Sequence, residues 1–93
     1  MNATTPQAGA PSRPRLRAPL KLHWHADMRS CEIVHPRGSV ELNRSAGEIL
    51  ARCDGTRELD GIIDEIEARF CMSGLAADVY RFIDEARRLG WLD

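Results

Sequence analysis

The hydrophobic pattern of the chain changes its period once, at about Leu42. From Leu20 to Leu42, apolar and polar residues alternate in three short runs, LKLHWHA, CEIVHP and SVELN. A period of two is typical of strands that lay one face on a core. Pro36-Arg37-Gly38 separates the second run from the third, and proline followed by glycine favours a tight turn. The pattern predicts three short strands, the last two joined as a hairpin.

After Leu42 the period becomes 3.6, which predicts a first helix. Asn43 is a good N-cap, and the apolar residues after it recur at helical spacing as far as Cys53. Asp54-Gly55 follows, and glycine beyond the last periodic residue is typical of a helix end. A hairpin tip would need alternation on both sides, which EILARC lacks. Cys53-Asp54-Gly55 is therefore predicted to be a helix stop, with the thiol packed inside.

Two further apolar stripes predict helices over residues 59–70 and 75–89, the last one ending at Gly90 in a Schellman-type stop. Gly47 and Gly61 lie inside helical stripes, where each costs up to about 1 kcal/mol relative to Ala. Close approach of another backbone is the expected reason for both. The predicted class is α+β, with three N-terminal strands followed by three helices.

The first nineteen residues differ in composition from the rest of the chain. They hold four of the five prolines and no acidic residue. Such a segment buries too little apolar surface to offset the entropy lost on ordering. The prediction is a disordered basic tail over residues 1–19, followed by one domain over residues 20–93. The tail is interpreted as a solubilising end, with a contact to an acidic partner or nucleic acid as the alternative.

Length and charge exclude several classes of protein. A chain of 93 residues, 43% hydrophobic, is expected to form one small domain without a large enzyme cleft. All fourteen acidic residues lie after residue 26, against nine basic ones, so the domain itself is acidic. Nucleic-acid binders usually carry a basic excess and aromatic platforms, and aromatic residues are only 5% here. No nucleic-acid partner is expected.

Cysteine usage and hydropathy indicate a compartment. The three cysteines include no CxxC pair and are odd in number, which is typical of reduced thiols rather than of a disulfide framework. No run of about 18 apolar residues predicts a membrane span, and the N-terminus has no apolar segment of a signal peptide. The sequence therefore predicts a cytoplasmic protein.

Few side chains are candidates for catalysis or metal binding. His23 and His25 share one face of a strand and could chelate a metal, but no third ligand lies at a recognisable offset. Cys53 ends a helix, where the dipole raises the pKa of a thiol, and no nucleophile–base motif stands out. The expectation is no catalytic residue, no metal and no cofactor, in a protein that is not an enzyme.

Two features predict a binding surface instead. A three-stranded sheet leaves edges, and the strand ending VELN is a candidate to receive an added peptide strand. On the third helix, tyrosine, aspartate, arginine and tryptophan recur on one flank of the core stripe, and three of these types are frequent binding hot spots. The alternative is that they complete the edge of the core. The candidate peptide-binding residues are Val40, Glu41, Leu42, Asn43, Tyr80, Asp84, Arg87 and Trp91.

The segments VELNRSAGEIL, CDGTREL and DVYRFIDEARRLGWL, in this order after three strands, resemble the PqqD family of pyrroloquinoline quinone (PQQ) biosynthesis. The resemblance covers about residues 16–92. Two positions depart from the family pattern. Arg37 stands where an acidic residue is common in the turn, and Glu58 stands where Ser or Thr commonly caps the second helix.

The resemblance implies a small winged-helix-like domain of the kind called a RiPP recognition element. Such a domain is a peptide chaperone: it holds the precursor peptide PqqA and presents it to the radical SAM enzyme PqqE. The peptide would lie as an extra strand against the third strand, in a cleft walled by the third helix. The alternatives are the recognition domain of another modified-peptide pathway and a winged-helix DNA-binding regulator, which the acidic domain disfavours. A monomer is expected in solution, with a homodimer as the alternative.

Overall fold

The computed structural model describes residues 13–93 and places three strands before three helices, which confirms the predicted α+β class. The strands are β1 (Lys21–Trp24), β2 (Ser30–His35) and β3 (Gly38–Asn43). The helices are α1 (Arg44–Ala51), α2 (Leu59–Phe70) and α3 (Ala76–Arg88). None of the helices described for residues 13–93 is long and apolar enough to cross a lipid bilayer.

The strands form one antiparallel sheet in the order β1-β2-β3. Two residues, Pro36 and Arg37, connect β2 to β3, and Gly38 opens β3 at a φ of +145°, which confirms the predicted hairpin. Alternate residues point to opposite faces of a strand. Ile33 and Cys31 of the central strand are fully buried, so their face of the sheet lies on the core.

The helices cover that face of the sheet and complete a single apolar core. Branched aliphatic side chains from all three helices fill it, together with one residue after α3. The buried members are Ile33, Ile49, Leu50, Cys53, Ile62, Ile63, Ile66, Val79, Ile83, Ala86 and Leu92. The helical stripes predicted from the 3.6-residue period are thus the faces that the helices bury.

A local signal sets the start of α1. Asn43 Oδ1 accepts a hydrogen bond of 2.9 Å from the Ala46 amide, as an N-cap does. After the helix, Gly55 adopts a φ of +85°, a left-handed conformation that glycine takes without strain. Cys53 is buried at the end of the stripe. The helix ends at Ala51 with Arg52 as its C-cap, two residues before the predicted end at Cys53. The buried thiol agrees with the prediction, whereas Gly55 lies beyond the cap and does not itself terminate the helix.

The end of α3 is a Schellman motif, also as predicted. The Trp91 amide donates to the Ala86 carbonyl at 2.9 Å, and the Gly90 amide donates to Arg87 at 3.0 Å. Gly90 has a φ of +82°. This pair of bonds reverses the chain, and it places Leu92 back in the core with 2% of its surface exposed.

The N-terminal segment, residues 13–19, is packed against the domain, so the predicted tail boundary at Pro19 falls too late. Pro14 is fully buried. The Leu16 amide donates to the Cys53 carbonyl at 3.0 Å, and the Arg17 amide donates to Trp91 at 2.9 Å. These bonds offset the entropy of ordering that the composition argument set against the segment. Residues 1–12 lie outside the described part of the chain.

The two helical glycines have different surroundings. A Cβ added at Gly47 would stand 2.5 Å from Cys31 Sγ and 2.7 Å from Cη2 of Trp24, so α1 meets the sheet closely at that point. The neighbours are side chains rather than the backbone that the sequence suggested. A Cβ added at Gly61 would meet nothing within 4 Å. The packing explanation therefore applies to Gly47 and not to Gly61.

Candidate functional site

The outer edge of β3 is open along the part of the chain that the structure describes. Between residues 13 and 93, β3 pairs only with β2, and no described strand lies on its other side. An edge strand presents a row of backbone N–H and C=O groups that another strand can pair with. Val40 and Leu42 are half-buried, whereas Glu41 and Asn43 are exposed. The predicted strand residues thus lie on an available edge.

A cleft runs beside this edge. Its strand side is formed by Glu41, Leu42 and Asn43. Because Asn43 both ends β3 and caps α1, the strand leads directly into the helix whose first turns form the floor of the cleft. The opposite wall comes from Asp78 and Phe82 of α3.

An apolar pocket of about 250 Å³ continues the cleft between the three helices. It shares Ser45, Ile49 and Asp78 with the cleft. Its remaining lining is almost entirely apolar and comprises Ile66, Phe70, Met72, Leu75 and Val79. Met72 is 57% exposed, so an apolar rim is accessible from solvent. We call the cleft and this pocket together the groove.

The predicted flank of α3 does not wall the groove. An α-helix turns about 100° per residue, so Tyr80 and Arg87 lie on the other side of the core stripe from Asp78 and Phe82. Tyr80 hydroxyl donates to Asp60 Oδ1 of α2 at 3.4 Å, which places it towards α2. This flank of α3 therefore lies towards α2 and outside the lining of the groove.

The other two predicted flank residues also lie away from the groove lining. Asp84 is exposed on the same side of α3 as Tyr80. Trp91 packs against the core and borders a shallow pocket with Pro36, Arg37 and Leu89, next to the β2–β3 turn. Arg87 Nε donates to the Asp93 carbonyl at 2.9 Å. A peptide-binding role for these residues stays a prediction.

Sequence reasoning missed Asp78 and Phe82 as groove residues. Phe82 belongs to the apolar stripe of α3, yet it is only half-buried and lines the cleft. Asp78 is exposed and adjoins both parts of the groove. A helical stripe has two flanks, and only the packing of α3 on the sheet decides which one faces β3. Asp78 and Phe82 are four residues apart and so share one side of a helix. This spacing is the only feature of the sequence that links the two residues.

Two walls of the groove, α1 and α2, are joined by an ion-pair cluster on Glu48. Its carboxylate lies 2.9 Å from Arg52 Nη1, 3.3 Å from Arg69 Nε and 3.7 Å from Arg44 Nε. Burial on its own raises the pKa of Glu48. The hydrogen bond from Arg52 and the charges of the three arginines outweigh it, so the net pKa lies below the ordinary 4.5.

Glu48→Gln is expected to lower the free energy of unfolding by about 1 kcal/mol near neutral pH, since a cluster open to water is partly screened. The folded-state pKa of Glu48 lies below its unfolded value of 4.5. The stabilisation is therefore present above about pH 4.5 and is lost as the pH falls through the folded value. Urea titrations at neutral and acid pH measure this. The difference from wild type should shrink on acidification, whereas Asp64→Asn, on the exposed side of α2, should change little at either pH.

The two buried cysteines are packed in the protein interior and are not activated as nucleophiles. Cys53 Sγ donates to the Ile49 carbonyl at 3.2 Å, and burial raises its pKa to about 12. Burial also raises the pKa of Cys31, followed by the charges of Glu41 and Glu32. A protonated, enclosed thiol is a poor nucleophile. The structure thus supports a packing role for Cys53.

One thiol of the three is expected to react in the native protein. Cys71 is exposed, whereas Cys31 and Cys53 are buried and free. In the native protein, Ellman's reagent should rapidly release one equivalent of thionitrobenzoate per chain. In guanidinium, where the protein is unfolded, it should release three. Cys71→Ser should abolish the rapid phase. A rapid second equivalent in the native protein would contradict the packing of these two thiols.

The comparisons with known proteins agree on one family. The sequence profile of the family "Coenzyme PQQ synthesis protein D (PqqD)" matches residues 32–92. A "PqqA binding protein" from Methylococcus capsulatus is 34% identical over 73 residues, which is 78% of each chain. The protein of the same name from Azotobacter vinelandii is 33% identical over 81 residues, 86% of this chain and 88% of the relative.

A "PqqA binding protein 2" from Pseudomonas putida is 33% identical over 75 residues, 80% of this chain and 83% of its own. No solved structure is significantly similar to the chain. The family profile covers most of β2, all of β3 and all three helices, so it includes both the open edge of β3 and the α3 wall of the groove. On these matches, the chain belongs to the PqqD family.

Proposed function

We propose that this chain binds the precursor peptide PqqA in PQQ biosynthesis by adding the peptide as a strand to β3. The observation that carries this proposal is the open edge of β3 beside the groove. The names of the PqqD-family relatives support the identity of the peptide. The activity is that of a non-catalytic adaptor.

Backbone and side chains have separate tasks in this mode of binding. Hydrogen bonds along β3 give affinity for an extended segment almost regardless of its sequence, because they use only main-chain groups. Selection of one peptide over another then depends on the side chains that the added strand contacts in the groove. Asp78 and Phe82 face it from α3, and the apolar pocket offers a place for one apolar side chain of the peptide.

Calorimetric titration with synthetic PqqA tests the proposal, with a scrambled peptide of the same composition as the control. One peptide is expected to bind per chain, and the scrambled peptide should bind at least tenfold more weakly. Amide hydrogen exchange locates the contact: exchange should slow in β3 when PqqA is present, but not in β1, the opposite edge of the sheet. No heat with PqqA, or slowing confined to β1, would contradict the proposal.

We also propose that the bound peptide is presented to the radical SAM enzyme PqqE. Strand addition leaves the parts of PqqA outside β3 unconstrained, so a reacting segment can extend into a second protein. Size-exclusion chromatography of this chain with PqqE, with and without PqqA, tests the ternary complex. We further expect a monomer in the absence of PqqA. Because an open strand edge can also self-pair into a homodimer, analytical sedimentation should be used to check this.

A further inference from the structure

The face of the sheet turned away from the core carries a group of metal-ligand side chains. His23, His25 and Glu32 each offer a ligand atom, and these atoms all lie within 4.8 Å of one another. The two histidines are two residues apart around the end of β1, so they point to the same side. Glu32 of β2 lies directly opposite His23 in the register. The antiparallel pairing thus brings a carboxylate to two imidazoles.

The distances suit a small cation. His23 Nδ1 lies 3.5 Å from Glu32 Oε2. Zinc bonds to nitrogen and carboxylate oxygen are about 2.0–2.2 Å long, so two ligands of a tetrahedral ion lie about 3.4 Å apart. The two imidazole rings stand 6.1 Å apart and nearly perpendicular, at 86°. His23 is exposed and the other two are half-buried, so rotation about side-chain bonds can bring the ligand atoms closer.

A fourth side chain, Glu41, supports the group from β3. It pairs with Glu32 in the register, and its Oε1 lies 3.1 Å from His25 Nε2. Metal-binding histidines usually hold one ring nitrogen against a carboxylate, which fixes the orientation of the ring. The two carboxylates together also balance the double positive charge of a divalent ion. Imidazole with carboxylate is a ligand set that suits zinc.

From this arrangement we propose that His23, His25 and Glu32 bind one Zn²⁺ ion on the outer face of the sheet, with Glu41 as the residue that positions His25. Water completes the coordination. The ion connects β1 to β2 from the side opposite the core. The site lies on the other face of the sheet from the helices that wall the groove.

Titration of the full chain, free of any affinity tag, with zinc sulfate tests the proposal by calorimetry. One ion is expected to bind per chain. His23→Ala and Glu32→Gln, which each remove a ligand, are expected to weaken binding at least tenfold, and Glu41→Gln about tenfold. His35→Ala is the matched control, because His35 contacts the Arg37 amide in the hairpin turn and takes no part in the group.

Two further measurements separate this site from other zinc binding. The Cys71→Ser background removes the exposed thiol, and the ion should still bind in it. Cobalt(II) in place of zinc should give visible bands without a thiolate charge-transfer band, because the ligands are nitrogen and oxygen. Circular dichroism melts check that each variant is folded. Binding weaker than about 1 mM, or equal affinity in the His23→Ala/His25→Ala double variant, would exclude the site.

Discussion

Replacing Ser45 with tryptophan is expected to weaken PqqA binding at least tenfold, which is about 1.4 kcal/mol. Ser45 is exposed in the first turn of α1 and lines both the cleft and the apolar pocket. An indole there would fill the groove at the point where its two parts meet. The strand edge itself would be unchanged, so the loss would report on the groove. Calorimetric titration with PqqA measures the effect.

Ala77→Trp is the matched control, since Ala77 is exposed on α3 and lies outside the lining of the groove. It should bind PqqA as the wild type does. Tyr80→Ala tests the other flank of α3 in the same assay. If Tyr80→Ala lowered the affinity and Ser45→Trp did not, the peptide would occupy the flank predicted from the sequence rather than the groove.

Gly47→Ala is expected to lower the free energy of unfolding by about 1–3 kcal/mol, the usual range for overpacking a core. The new methyl group would stand 2.5 Å from Cys31 Sγ and 2.7 Å from the Trp24 ring, so α1 or the sheet has to shift. Urea denaturation followed by circular dichroism measures the change.

The same substitution at Gly61 should have the opposite sign. Gly61 lies within α2 and a Cβ there meets nothing within 4 Å. Alanine is favoured over glycine in a helix by up to about 1 kcal/mol, so Gly61→Ala should stabilise the protein by up to that amount. Equal effects of the two substitutions would mean that Gly47 is kept for some reason other than its contact with the sheet.

Local chemistry made much of the fold predictable. The bounds of α2 are those of its apolar stripe, and α1 begins after the asparagine expected to cap it. Pro36, Gly38 and Gly90 stand where the hairpin and the helix stop need them. In each case the determining residues are close together in the chain, so the sequence contains the whole signal.

The N-terminal segment could not be predicted in that way. Its prolines and basic residues are typical of disorder, yet Pro14 is buried and Leu16 pairs with Leu92 in an isolated bridge. The partners of this segment are about 40 and 76 residues away along the chain, as the bonds from Leu16 to Cys53 and from Arg17 to Asp93 show. Composition contains no information about contacts at such separations.

Only part of the candidate site could be predicted, because some of its residues are brought together by packing between distant elements. An exposed edge follows from a small sheet with three strands in order, so Val40–Asn43 could be named. Which flank of α3 faces that edge depends on the packing angle between helix and sheet, and spacing alone does not give it. The third ligand beside His23 and His25, Glu32, could not be identified from sequence spacing because it comes from the neighbouring strand.

The packed N-terminal segment also brings the two ends of the folded region together. The Asp93 amide donates to the Arg15 carbonyl at 3.0 Å, so the last residue of the chain lies beside one of the first described ones. A short linker could therefore join residue 93 covalently to residue 13, and the polypeptide could be opened instead at the exposed Ser73–Gly74 step between α2 and α3. Such a circular permutant would keep β3 and α1 contiguous.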